Sequence, residues 1–218
     1  MALRTVVLAC SKGGVGKTTL SACFAVEAGR RNKVALHDVD PQQSLARWYE
    51  LRDNRKNLVL LSAKLSVADA MAKAASGGFD FLVVDTPPAL MWAIEAAIEA
   101  RPDLIVIPVK PSPIDVESTD PIVQLCEQHD VPFVFVVNMA TTRAGMTAGA
   151  IEFLSEDART GEPRTVLPDI VMQRQVYMAA MASGQSAVEI DKTGKVGEEI
   201  QPIWKAIARL ASKASVKA

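Results

Sequence analysis

One stretch constrains this 218-residue chain more than any other: Lys12-Gly13-Gly14-Val15-Gly16-Lys17-Thr18-Thr19. It follows a short apolar run, Val6 to Cys10, and opens a helical stretch, Thr18 to Arg30. A strand before it and a helix after it are the context that a phosphate loop requires. Glycines let backbone N–H groups turn inward around an anion, and the helix start adds unpaired N–H groups and a positive dipole end. In such a loop Lys17 reaches the β- and γ-phosphates, and the Thr18 hydroxyl faces Mg²⁺. The strict GxxxxGK[ST] pattern misses by one position, because Ser11 stands where its first glycine would be.

The rest of the chain repeats the strand–helix alternation. Further apolar runs are Lys33–His37, Leu58–Leu61, Phe81–Val84, Leu104–Ile107 and Phe133–Val137, with a short seventh at Thr165–Leu167. They are continuous rather than alternating, as in strands covered on both faces. Helical stretches are expected at Gln43–Leu51, Val67–Ala75, Ala93–Ala100, Ile114–Gln128, Ala144–Ser155, Gln173–Ala182 and Val196–Ser212, the last interrupted near Pro202. The pattern predicts an α/β fold: a mostly parallel sheet of about seven strands flanked by helices, in one domain over residues 1–218. A hydrophobic fraction of 49% and a net charge of −1 exclude wholesale disorder. Cys10, Cys23 and Cys126 are scattered without CxxC spacing, which argues against zinc and iron–sulfur sites and fits a reducing cytoplasm. No apolar run approaches the roughly 20 residues of a membrane-spanning helix.

Two further segments place carboxylates at strand ends, where ligands of open α/β sheets bind. Asp38-Val39-Asp40-Pro41-Gln42 follows the second run. Phe81-Leu82-Val83-Val84-Asp85 has the Walker B form, an apolar strand ending in a carboxylate that would hold Mg²⁺, and Thr86-Pro87-Pro88 follows it. With these residues the chain resembles the ParA/MinD family of deviant Walker A P-loop ATPases, closest to its short ParA-type members. The resemblance implies that Lys12 is the family's signature lysine, crossing an ATP-bound homodimer to the partner's phosphates. It assigns Asp40 of the DxDPQ switch to orienting the attacking water and Asp38 to the Mg²⁺ neighbourhood. It puts Asn138, after the sixth run, and Pro168, after the seventh, against the adenine. It also implies slow ATP hydrolysis stimulated by an adaptor protein, non-specific DNA binding on the nucleoid, and the positioning of a plasmid, chromosome region or other cargo. The chain lacks the helix-turn-helix extension of longer ParA proteins, so autoregulation of transcription is not expected.

The near-neutral charge is unevenly distributed. Gln201–Ala218 carries Lys205, Arg209, Lys213 and Lys217 and no carboxylate side chain, so residues 1–200 sum to −5 and the tail to +4. The spacing of four puts these cations on one stripe of a basic helix at about 196–215, beside an apolar face of Ile203, Trp204, Ile207 and Leu210. Three readings stand: phosphate contacts to DNA, a MinD-like membrane-surface helix, or an ordinary helix docked on the sheet. Arg174 matches a position where short ParA-type proteins place a basic DNA contact. Arg47, Arg52, Arg55 and Lys56 form a second basic cluster, diluted by Glu50 and Asp53. Trp48, Trp92 and the Met178–Met181 pair read as packing residues, and His37 as a core histidine. A P-loop metabolic kinase or ligase is the alternative of another class; Lys12 and Asp40 together argue against it.

Overall fold

A computed structural model of the chain describes residues 2–141 and 144–214. Six strands form one sheet: β1 (Arg4–Leu8), β2 (Val34–Asp38), β3 (Leu58–Leu60), β4 (Phe81–Asp85), β5 (Leu104–Val109) and β6 (Phe133–Val137). Every pairing is parallel, in the order β3-β2-β4-β1-β5-β6. β1 is therefore central, and the chain crosses it when β4 leads to β5. Such a reversal opens a crevice at the carboxyl ends of the strands, where the segments after β1, β2 and β4 converge.

The continuous apolar runs have a direct cause: both faces of the sheet are buried. Val6 and Leu8 pack on one side and Val7 and Ala9 on the other, all without solvent exposure. Helices α1 (Lys17–Gly29), α2 (Ser44–Glu50), α8 (Gln175–Ala182), α9 (Ala187–Ile190) and α10 (Lys195–Ala214) cover the first side. Helices α3 (Val67–Ser76), α4 (Met91–Glu99), α5 (Pro113–Glu117), α6 (Asp120–Gln128) and α7 (Ala144–Leu154) cover the second. No described helix is long and apolar enough to cross a membrane.

Four expectations need correction. The seventh strand is an isolated bridge, Phe135 to Val166: two backbone bonds to Phe135 hold the segment, which loops out and pairs again only from Val171 to Gln173, with Val137 and Ala140. The helix expected over Ile114–Gln128 is two, α5 and α6. Ser118 and Thr119 turn their hydroxyls back onto the carbonyls of Asp115 and Val116, and Pro121 lacks an N–H to continue the first helix. Pro202 does not interrupt α10. An internal proline costs about 3 kcal/mol, but Ile200, Ile203, Trp204 and Ile207 are buried around it. Trp204 lies between Phe24 and Phe81, with ring centroids 6.0 and 5.0 Å away. Finally, Trp92 is 70% exposed and packs into neither core, and Met178 is likewise exposed. Trp48 and His37 are buried as expected. The α9 helix has a local signal that hydrophobic periodicity does not show: Ser186-Ala187-Val188-Glu189 is a complete capping box.

Candidate functional site

The crevice is built from the turn after β1. Gly14 and Gly16 adopt left-handed backbone angles (φ 72° and 82°), so the turn curls before α1 begins at Lys17. A Cβ on Gly16 would lie 2.6 Å from the Asn138 amide nitrogen, so a side chain there would have to displace Asn138. Asn138, nearly fully buried at the end of β6, donates its amide N–H to the Val15 carbonyl at 2.6 Å. It braces the loop from beneath.

Asp85, at the end of β4, is fully buried and gathers three donors from α1. The Lys17 ammonium lies 3.7 Å away, the Thr18 hydroxyl donates at 2.6 Å and the Ser21 hydroxyl at 3.2 Å. Burial pushes the Asp85 carboxyl up to about 6, against the opposing pull of Lys17 and Thr18. Ser21 stands outside the loop motif but sits one helical turn beyond Lys17 and so on the same face. The residues fit a triphosphate with a divalent cation: N–H groups and a buried ammonium suit phosphate oxygens, and a hydroxyl beside a carboxylate is a hard oxygen donor set.

Asp38 pairs in register with Asp85 on the neighbouring strand. Its carboxylate accepts from the backbone N–H groups of Asp40 (3.1 Å) and Ala46 (2.9 Å), so it organises the switch loop and the first turn of α2. Burial raises its pKa. Asp40 is buried; its carboxylate accepts the Gln42 N–H at 2.8 Å and its carbonyl the Gln43 N–H at 2.8 Å. Thr86 fastens the start of the second switch, donating from its hydroxyl to the Leu8 carbonyl at 2.8 Å.

Lys12 is held within its own chain. Its ammonium donates to the Ile114 carbonyl at 2.6 Å and lies 3.7 Å from Asp115, both in α5. Ser11 adds a bond from its hydroxyl to the Ser118 carbonyl. Burial pushes the neighbouring Cys10 up to about 11, which keeps it a neutral thiol. Lys110, which the sequence did not single out, brings its ammonium within 3.9 Å of where a Cβ on Gly14 would sit.

A small cavity of about 90 Å³ opens beside the loop, lined by Gly16, Thr19, Asn138, Met139, Met172 and Tyr177 among others. Arg174 and Gln173 also line it, whereas Pro168 is exposed and does not. Arg174 is engaged by Glu199 of α10, which accepts from its guanidinium, including its Nε at 3.2 Å. The other Glu199 oxygen accepts from the Met172 N–H and the Tyr177 hydroxyl, each at 3.3 Å. Nothing in the sequence pointed to Glu199, because its partners lie 22 to 27 residues away. Lys205, Arg209 and Lys213 are exposed along α10, while Ile203, Trp204 and Ile207 are buried. The apolar face that a membrane-surface helix would need is thus used in the core. Lys217 and the expected helix end at 215 lie outside the described residues.

Known proteins share this architecture. A family model described as VirC1 protein matches residues 1–133. Maintenance of carboxysome distribution protein A from Halothiobacillus neapolitanus is 32% identical over 208 residues, covering 91% of this chain and 94% of that protein. Among solved structures, septum site-determining protein MinD with Mg-ADP from Pyrococcus horikoshii aligns with a TM-score of 0.77 at 16% identity, covering 97% of this chain and 98% of that one. A McdA–ATP complex from Cyanothece aligns at 0.70 and 21% identity, covering 96% of each chain. At these identities the structures speak for the fold, whereas the family model and the full-length relative speak for descent. This chain, a parallel sheet carrying a deviant phosphate loop, belongs to the VirC1 protein family and has the fold of the MinD and McdA structures.

Proposed function

We propose that this chain, as a single ParA-like unit, binds ATP with Mg²⁺, forms a homodimer on doing so, binds DNA without sequence preference and hydrolyses ATP slowly to position a cargo. The observation that carries this reading is the convergence of Lys17, Thr18 and Ser21 on the buried Asp85. Lys17 and the N–H groups of Gly13 to Thr19 bind the β- and γ-phosphates. Thr18 and Asp85 would hold Mg²⁺, with Asp38 and Asp40 in its neighbourhood; the cation would supply charge neutralisation for the phosphates. Asp40 orients the attacking water. Asn138 borders the adenine in the cavity beside the loop, and Pro168 reaches it only if its segment moves.

Lys12 is a positioning and charge-neutralising group delivered to the partner subunit's phosphates. To act there it must leave Ile114 and Asp115, so release of Lys12 accompanies dimer formation. Lys205, Arg209 and Lys213 supply phosphate contacts to DNA. Arg174 contributes to them only by giving up Glu199. An adaptor protein stimulates turnover, and the protein works in the cytoplasm on the nucleoid. A membrane-surface role finds less support, because the apolar stripe of α10 is packed against the sheet.

The deciding experiment is a pair of assays with ATP and Mg²⁺: binding to random-sequence duplex DNA across a salt series, and pelleting with anionic vesicles. Binding to DNA that weakens steeply with salt supports the reading. Pelleting without DNA binding overturns it.

A further inference from the structure

A second basic feature lies at the other end of the strands from the phosphate loop, beside the start of the edge strand β3. A cleft of about 320 Å³ opens between the end of α1, the segment joining α2 to β3, and the segment joining α9 to α10. Arg30, Arg52, Lys56 and Lys192 line it, and Glu189 is the one acidic lining residue. The cluster noted in the sequence around Arg52 and Lys56 is therefore half of a concave site, completed by residues that lie far away in the chain.

The four cations divide into two kinds. Arg52 is buried and fully engaged. It pairs with both Glu189 oxygens at 2.9 and 2.8 Å, donates to the Gly184 carbonyl at 2.9 Å and stacks over Trp48 at 4.7 Å. Arg30 is tied to Glu27 at 2.7 Å and to the Val188 carbonyl at 3.3 Å. These arginines frame the cleft, and Arg52 neutralises Glu189. Lys56 and Lys192 are exposed, and their ammonium groups make no hydrogen bond or ion pair with the described residues.

The frame is stiff. Trp48 donates its indole N–H to the Gln185 carbonyl at 2.7 Å. Gly184 has φ 68°, and a Cβ there would lie 2.5 Å from the Leu51 carbonyl group, so the two segments are in backbone contact. Two ammonium groups without hydrogen bonds thus line a stiff cleft whose one lining carboxylate, Glu189, is paired with Arg52; Glu27, within electrostatic reach of Lys192, is paired with Arg30. Like charge concentrated in a low-dielectric cleft draws an anion into it.

We propose that this cleft takes phosphodiester groups of a nucleic acid backbone, a contact that rests on the DNA-binding reading above and extends it beyond α10. Its free donors are lysine ammonium groups, point charges that suit phosphate without reading bases. No aromatic side chain lines it to stack a base, so the contact is independent of sequence. The cleft belongs to the same helical layer as Lys205, Arg209 and Lys213, so one polyanion can engage both. A lipid surface is disfavoured because the apolar lining, Val26, Leu58 and Val188, is buried.

The test uses the full chain with ATP and Mg²⁺, random-sequence duplex DNA and a salt titration. Lys56→Ala combined with Lys192→Ala should weaken DNA binding by about 10-fold at low salt. It should also lower the salt slope by about 1.8 for each subunit seated on the DNA, since each of the two phosphates left without its lysine accounts for about 0.9. Nucleotide affinity and melting temperature should not change, and Lys56→Arg with Lys192→Arg should retain the slope. If the parent binds DNA and the alanine pair binds with the same slope, the cleft assignment fails while the DNA reading stands. If the parent binds no DNA, both fail. Should the alanine pair instead lose pelleting on phosphatidylglycerol/phosphatidylcholine vesicles and keep its DNA affinity, the cleft is a lipid-headgroup site and the proposal is overturned.

Discussion

The two helical layers do the same mechanical work and carry different electrostatics. Each buries one face of the sheet, with Leu20, Phe24 and Ile207 inside on one side and Ile94, Ile98 and Ile122 inside on the other. Outside they differ. Helices α3 to α7 hold eight carboxylates (Asp69, Glu95, Glu99, Asp115, Glu117, Asp120, Glu127, Glu152) against the lone cation Lys73. Apart from the buried Lys17, helices α1, α2, α8, α9 and α10 hold five carboxylates against five cations, and the cleft adds Arg30, Arg52, Lys56 and Lys192 from their connecting segments. Packing is non-directional and asks only for apolar volume facing the sheet. Outer charge is free to vary, so its asymmetry reports what each face meets rather than how the chain folds.

The largest effects should be equal across the layers, which tests the mechanical half of that contrast. Trp204→Ala empties the space between Phe24 and Phe81 and should cost about 3–5 kcal/mol, and Ile122→Ala on the far side about 2–5 kcal/mol. Urea unfolding measures both; a near-zero cost on either side would mean that layer is not part of the cooperative core. Next comes the site between them. Lys17→Ala should weaken ATP binding by about 100-fold or more, since charge-assisted contacts to phosphate are worth about 1.5–3 kcal/mol each. Calorimetric titration with ATP and Mg²⁺ checks it, and retained affinity would remove the phosphate-loop assignment.

A smaller loss is expected from Gly184→Ala. The new Cβ meets the Leu51 carbonyl in a left-handed backbone, so stability should fall by about 1–3 kcal/mol. The salt slope of DNA binding should flatten with it, because the cleft loosens. The smallest and most selective effect separates the outer charges. Lys205→Ala should lower the salt slope by about 0.9 for each subunit seated on the DNA, whereas Glu95→Gln on the acidic layer should leave it unchanged. Neither should change stability by more than about 0.5 kcal/mol. Equal slopes for the two variants would dissolve the electrostatic half of the contrast.

Local chemistry made much of the site readable in advance. Gly14, Gly16, Lys17 and Thr18 form one contiguous loop, and its requirements are backbone angles and donors that neighbouring residues supply. Asp38 and Asp85 were readable because each ends an apolar run, and parallel register then sets them side by side. Ser21 and Glu199 were harder: a serine on a helix and a glutamate in a charged stretch have no distinguishing neighbours. The division of one long helix into α5 and α6 depended on hydroxyls choosing backbone carbonyls over water, a choice that composition leaves open.

By itself, then, the sequence determined the strand–helix alternation, the phosphate loop and the carboxylates at strand ends, because those features follow from periodicity and from residues adjacent in the chain. Only the tertiary structure decided that Pro202 sits within an unbroken helix, since buried contacts on either side outweigh one missing hydrogen bond. It alone showed Lys12 and Arg174 engaged by Asp115 and Glu199. And it alone joined Lys56 to Lys192 across one cleft, because charges act through distance in space and not along the chain.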